Sequence, residues 1–141
     1  MNKLCLIFNI ASHYRKNIYQ LIDNTFDCYW FFGENDTDIK TMNLRLLKRV
    51  TIGRNIKLFK RKAIYWQEGV FRFVRKQDAH TYLILGEPIC LSTWVLFIKL
   101  KLSPSTRYIY TWTHGWYGRE TWIKRIVKRI FFKMTDGVFL Y

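Results

Sequence analysis

Along the chain, short continuous apolar runs alternate with segments whose apolar residues recur at helical spacing. The run Leu4-Cys-Leu-Ile-Phe-Asn-Ile10 has the pattern of a central strand covered on both faces. Ser12 then stands where it can cap a helix over residues 13–23, whose apolar stripe is Tyr14, Ile18, Leu21 and Ile22. Cys28 to Phe32 predicts a second strand, closed by the turn cluster Gly33-Glu-Asn-Asp36. Residues 39–62 fit neither period well, although Ile56, Leu58 and Phe59 suggest a short strand among basic positions, and Trp66 to Arg75 reads as a helix or an amphipathic extended piece. Thr81 to Leu85 is another apolar strand. Gly86-Glu87-Pro88 follows it, with proline in the first turn of a helix reaching Leu102. Arg107 to Thr113 predicts the next strand, Arg119 to Met134 a helix, and Gly137 to Tyr141 the start of a further strand. Strands and helices alternating in this way predict an α/β fold, a Rossmann-like, mostly parallel sheet with helices on both faces and right-handed crossovers.

Composition narrows the class. The 141 residues are 50% hydrophobic and 18% aromatic, enough for one packed domain spanning 1–141 and too few for two ordinary ones. A net charge of +14 predicts an anionic partner, whether phosphate-bearing ligand, membrane surface or nucleic acid. The charge is uneven: twelve cations and Glu68 alone lie between Lys40 and Lys76, whereas residues 23–38 hold five of the ten acids. Cys5, Cys28 and Cys90 are far apart without C-x-x-C spacing, so they read as reduced, buried residues rather than a disulfide framework or a metal site. No cleavage site follows the first apolar run, and Leu91 to Leu102, broken by Lys99 and Lys101, is shorter than the roughly 20 residues a span requires. These features predict a cytoplasmic protein. The chain stops on an apolar strand, which suggests that it ends before a further domain.

In a parallel sheet the strand ends at Ile10 to Arg15, Gly86 to Pro88 and Thr113 to Gly115 share one rim. That rim would collect His13, Tyr14, Arg15, Gly86, Glu87, His114 and Gly115. Two imidazoles, a carboxylate, a guanidinium and two helix N-termini suit an anionic ligand such as a phosphate. The plainer reading makes Glu87 a helix cap, Arg15 a solvated cation and His114 a loop hydrogen-bonder.

The runs Leu83-Ile-Leu-Gly86-Glu87-Pro88, Tyr110-Thr-Trp112-Thr-His114-Gly115-Trp-Tyr-Gly118-Arg-Glu120 and Phe131-Phe-Lys133-Met-Thr-Asp136-Gly137-Val-Phe-Leu-Tyr141 resemble the N-terminal half of bacterial retaining glycosyltransferases of the GT-B fold, family 4-like, of the sort found in surface-polysaccharide clusters. Thr-His-Gly-Trp-Tyr-Gly is the most specific piece. In that family the N-terminal domain binds the acceptor, and a C-terminal domain holds the nucleotide-sugar through a Glu-x7-Glu type motif. The resemblance implies that His114 is the catalytic-site residue near the transferred sugar, and that His13, Tyr14 and Arg15 face acceptor or donor phosphate, with Gly86, Glu87 and Gly115 beside them. It implies a nucleotide-sugar as substrate rather than cofactor, no metal, and a glycan or lipid-linked acceptor. Many relatives carry a glycine pair after strand one where this chain has Ala11-Ser12-His13. The nucleotide-binding domain is absent from these residues, so the chain alone is expected to be inactive.

The helix over residues 119–134 separates Trp122, Ile123, Ile126, Val127, Ile130 and Met134 from Lys124, Arg125, Lys128, Arg129 and Lys133. The basic face, with Phe132 among the cations, suits an anionic bilayer and a peripheral place on the inner membrane; the plainer reading is a solvated helix exterior. Two other functions compete. A nucleic-acid-binding module would use the net charge with Tyr65, Trp66, Phe71 and Phe73, but no RRM, KH or zinc-finger pattern is present and nucleic acid is not the expected partner. A non-catalytic fragment is compatible with the transferase reading.

Overall fold

The computed structural model describes residues 3–60, 62–115, 118 and 120–141. It is a Rossmann-like α/β structure built on one seven-stranded sheet. In chain order the elements are β1 (Lys3–Phe8), α1 (Lys16–Thr25), β2 (Asp27–Gly33), β3 (Val50–Phe59), β4 (Lys62–Glu68), α2 (Val70–Gln77), β5 (Thr81–Leu85), α3 (Leu91–Lys101), β6 (Tyr108–Thr113), α4 (Trp122–Lys133) and β7 (Gly137–Leu140). The strand order is β4-β3-β2-β1-β5-β6-β7, parallel throughout except for the antiparallel β3–β4 pair. Chain direction across the sheet reverses between β1 and β5, which opens a crevice beyond their carboxyl ends.

The apolar runs make central strands because both of their faces are covered. Cys5 and Ile7 of β1 face a layer made by α2, α3 and α4 with Phe31, Phe73, Phe97 and Phe131. Leu6 and Phe8 face the opposite layer, where α1 places Tyr19 among Phe8, Trp30 and Phe32. Burial pushes the Cys5 and Cys28 thiols up to about 12, as expected of inert core sulfurs, and all three cysteines are free.

Several local expectations fail for identifiable reasons. Residues 13–15 form a 3-10 turn, and the Ser12 hydroxyl caps nothing; its backbone instead bridges to Thr41. Helix α1 and the turn before it are rotated from the expected stripe: Tyr14, Ile18 and Leu21 are exposed and Ile22 is half-buried, while Arg15, Tyr19 and Asp23 are buried. Pairing makes that polar face stable inside, because Asp23 accepts from the Trp30 indole at 2.8 Å and from the Lys48 amide at 3.1 Å. The stretch expected to be one short strand is instead a long hairpin. Its β3 pairs with β2 only from Val50 to Gly53 and then projects with β4 past the end of the sheet. Helix α2 accordingly starts at Val70, after the left-handed Gly69, and not at Trp66. Pro88 lies in the turn before α3 rather than inside its first turn.

Candidate functional site

The hairpin folds back over the crevice. The Tyr65 amide donates to the Ile89 carbonyl at 3.2 Å, so the edge of β4 pairs with the segment leading into α3. Two amides hold the hairpin against the end of β1: Gln67 Nε2 donates to the Phe8 carbonyl at 3.0 Å, and Asn55 Nδ2 donates to the Asn9 carbonyl at 2.7 Å. What stays open is a cavity of about 600 Å³ between the ends of β5 and β6, the start of α3, the first half of α4 and Ile64 of β4.

Its floor depends on glycine. A Cβ at Gly86 would come within 2.9 Å of the Thr113 side chain, so only glycine lets β5 turn this close to β6. Gly115, at φ 81°, then turns the chain away from His114. Glu87 enters the cavity with its Oε2 accepting from the Tyr65 hydroxyl at 2.7 Å. Burial raises the Glu87 carboxyl above its ordinary value; the Tyr65 hydrogen bond and the nearby Arg15 charge pull the other way without cancelling it. The same burial, with Cys90 and Glu87 adjacent, raises the Tyr65 phenol, which therefore stays a donor.

His114 lies at the opposite rim, exposed, its ring 3.9 Å from that of Tyr141. A second carboxylate, Glu120, joins the site. Glu120 lines the cavity and pairs with Lys128, whose ammonium also reaches the Gly115 carbonyl at 3.3 Å. The other Glu120 oxygen, Oε2, is buried without a hydrogen-bond partner among the described residues. Trp94, fixed by its indole N–H on the Pro88 carbonyl at 2.8 Å, supplies an aromatic wall. The spacing of Glu120 and Lys128 carried no helical signal, because a loop residue meets a helical one.

The expected cluster is therefore assembled only in part. Gly86, Glu87 and His114 line one cavity, and Gly115 borders it. His13 and Tyr14 do not; both are exposed. Arg15 turns inward and is 6% exposed, enclosed by the rings of Phe8, Tyr14, Trp112 and Tyr141, with its Nη1 and Nη2 toward the Tyr19 and Tyr141 hydroxyls. The cage surrounds its charge, and its Nε is buried without a hydrogen-bond partner among the described residues. Helix α4 also differs from its expected seating. Trp122, Ile123, Ile126, Val127 and Ile130 are exposed, and the helix is anchored by Phe131 against Trp94 and Phe97. Lys128 consequently belongs to the cavity and not to an outward basic face, whereas Lys124, Arg125, Arg129 and Lys133 stay exposed.

Chemically, the cavity offers two carboxylates to accept hydrogen bonds from hydroxyls, an imidazole able to donate or accept, two ammonium groups and largely apolar walls. Among the described residues no group of three or more His, Cys, Asp or Glu is arranged to hold a metal ion, and no helix is long and apolar enough to cross a membrane. Compared with protein-family models, curated proteins and solved structures, the chain matches none.

Proposed function

We propose that the chain is the acceptor-binding half of a GT-B sugar transferase and that the cavity between Glu87 and His114 receives a polyhydroxylated acceptor. The observation that carries this reading is the convergence of Glu87, Glu120 and His114 on one largely apolar cavity at the carboxyl ends of β5 and β6. Glu87, with its raised affinity for protons, accepts the hydrogen bond of an acceptor hydroxyl and orients it. His114, at the rim, faces the donor sugar, which a second domain holds as its nucleotide derivative. Lys124 and Lys128 suit a phosphate on either substrate. The exposed cations of α4 keep the protein on an anionic inner-membrane surface.

The resemblance in Thr113-His114-Gly115 supports the reading, and so does the fate of the aromatics that a nucleic-acid module would need. Phe73 is buried, Phe71 packs on Trp66, and Tyr65 is engaged with Glu87, so these rings form no open stacking platform. The test is ligand-observed NMR with a panel of soluble oligosaccharides. A glycan should bind the 141-residue chain, and Glu87→Ala or His114→Ala should weaken it about tenfold, the loss expected of one hydrogen bond to a charged or strongly polar group. The chain by itself should turn over no nucleotide-sugar. Salt-sensitive RNA binding with no glycan binding would end the proposal.

A further inference from the structure

We infer that the tip of the β3–β4 hairpin and the first turn of α4 are two prongs that dock on an anionic lipid bilayer, with the mouth of the cavity between them, so that the acceptor is an amphiphile whose tail stays in the membrane. The substrate part rests on the acceptor reading; the docking part stands on the surface itself.

The topology puts both prongs at the same end. Beyond Gly53, β3 pairs with no strand but β4 among the described residues, so its last residues overhang the carboxyl edge of the sheet. Helix α4 follows β6 and therefore starts from that edge. Between them, Ile64 of the hairpin and Ile123 of the helix line the same cavity, and Leu58 lies one residue beyond the Lys57–Tyr65 pair, where the hairpin register shifts.

Both prongs carry large side chains with no reason to face water. Leu58 and Phe59 are exposed at the hairpin tip, Phe59 at 55%, and Trp122 is 70% exposed at the start of α4. The surrounding charge selects the partner. Helices α3 and α4 contain no acidic residue. Lys60, Lys124, Arg125 and Arg129 form no ion pair among the described residues. Exposed aromatic and aliphatic tips within a cationic field fit an interface whose surface is anionic and whose interior is apolar. A protein groove would match the apolar groups without using the charge, and RNA would match the charge without burying Leu58.

Vesicles of phosphatidylglycerol and phosphatidylcholine, against phosphatidylcholine alone, provide the test. The chain should co-sediment with the anionic vesicles, and Leu58→Asp with Phe59→Asp should weaken partitioning roughly tenfold while leaving soluble-glycan binding unchanged. Because the three native cysteines are buried, a fluorophore on Leu58→Cys labels the tip selectively. Quenching of that fluorophore by brominated acyl chains supports insertion. Unchanged partitioning of the double variant, or no quenching, overturns the docking proposal and leaves the sugar-transfer reading standing. Salt-sensitive binding of single-stranded RNA by the parent chain with no co-sedimentation on anionic vesicles also overturns it. If docking holds and Glu87→Ala binds glycan as well as the parent, the acceptor reading is the part that fails.

Discussion

At the scale of single residues, the site is governed by how each ionisable group is shielded. Arg15 and Glu87 both sit near the switch point, yet they are treated oppositely. Arg15 is wrapped by aromatic faces, which stabilise a cation without neutralising it, while Glu87 keeps one phenolic hydrogen bond and otherwise faces the cavity. The sequence could not separate these fates, because a residue just after a strand can point to either side of the turn. The raised Glu87 carboxyl has a measurable consequence. The folded chain binds its proton more tightly than the unfolded chain does, so the stability from this group is fully present below the ordinary carboxylate range and is lost as pH climbs through the raised folded value. Glu87→Gln removes the dependence while keeping an acceptor for the Tyr65 hydroxyl. Thermal melts should show the variant more stable than the parent at neutral pH, with the two converging in acid. An equal difference at both pH values would mean that the carboxyl is not strained by burial.

Elements were legible wherever both faces of a strand are apolar. The runs at β1 and β2 are apolar on consecutive residues because both of their faces are covered, those at β5 and β6 because one face is covered and the other lines an apolar groove, and their positions were readable to within a residue or two. Helix faces were less legible. In α1 the inward side is Arg15, Tyr19 and Asp23, and no hydropathy pattern anticipates that an indole and a lysine amide will pair the carboxylate. In α4 the stripe that looks like a core face is exposed, since Phe131 alone reaches fully into the core. The β3–β4 hairpin was illegible for a related reason: its exposed and inward residues are both mixed, and its alignment comes from distant amides. Gln67 is the clearest of these. Its side chain satisfies the Phe8 carbonyl at the buried end of β1, and its own amide donates to the Ser92 hydroxyl at 3.0 Å. Gln67→Ala leaves that carbonyl unpaired and should cost about 1–3 kcal/mol in denaturant titrations. If the hairpin is held as described, hydrogen exchange in the variant should accelerate at the β4 amides of Tyr65 and Gln67 well before it does in β5. Uniform acceleration would instead mark a general loss of stability.

For the whole molecule, the alternation of strands and helices together with right-handed crossovers was enough to anticipate the Rossmann-like sheet, and the same rule dictates what the sheet leaves open. Moving from β1 to β2 puts α1 on one face, and moving from β5 through β7 puts α3 and α4 on the other. The α1 side of β5, β6 and β7 therefore has no helix over it among the described residues. Leu83, Tyr110, Trp112 and Phe139 line an apolar groove of about 640 Å³ there, walled by Ile18 and Ile22 of α1 and by Phe26 just after it. Along the same margin β7 pairs, among the described residues, with β6 alone, and it exposes Val138, Phe139 and Leu140, the last at 70%. An open edge strand beside an apolar groove is a template for association. Sedimentation velocity should accordingly show the chain self-associating as its concentration rises. Leu140→Lys, which places a charge where the edge and the groove meet, should hold it monomeric. Because Leu140 is mostly exposed, the substitution should leave the melting temperature almost unchanged, so a fall in association without a fall in stability assigns the contact to this margin. If association persists in Leu140→Lys and disappears in Leu58→Asp with Phe59→Asp, the hairpin tip is the self-contact, and the groove beside β7 plays no part in it.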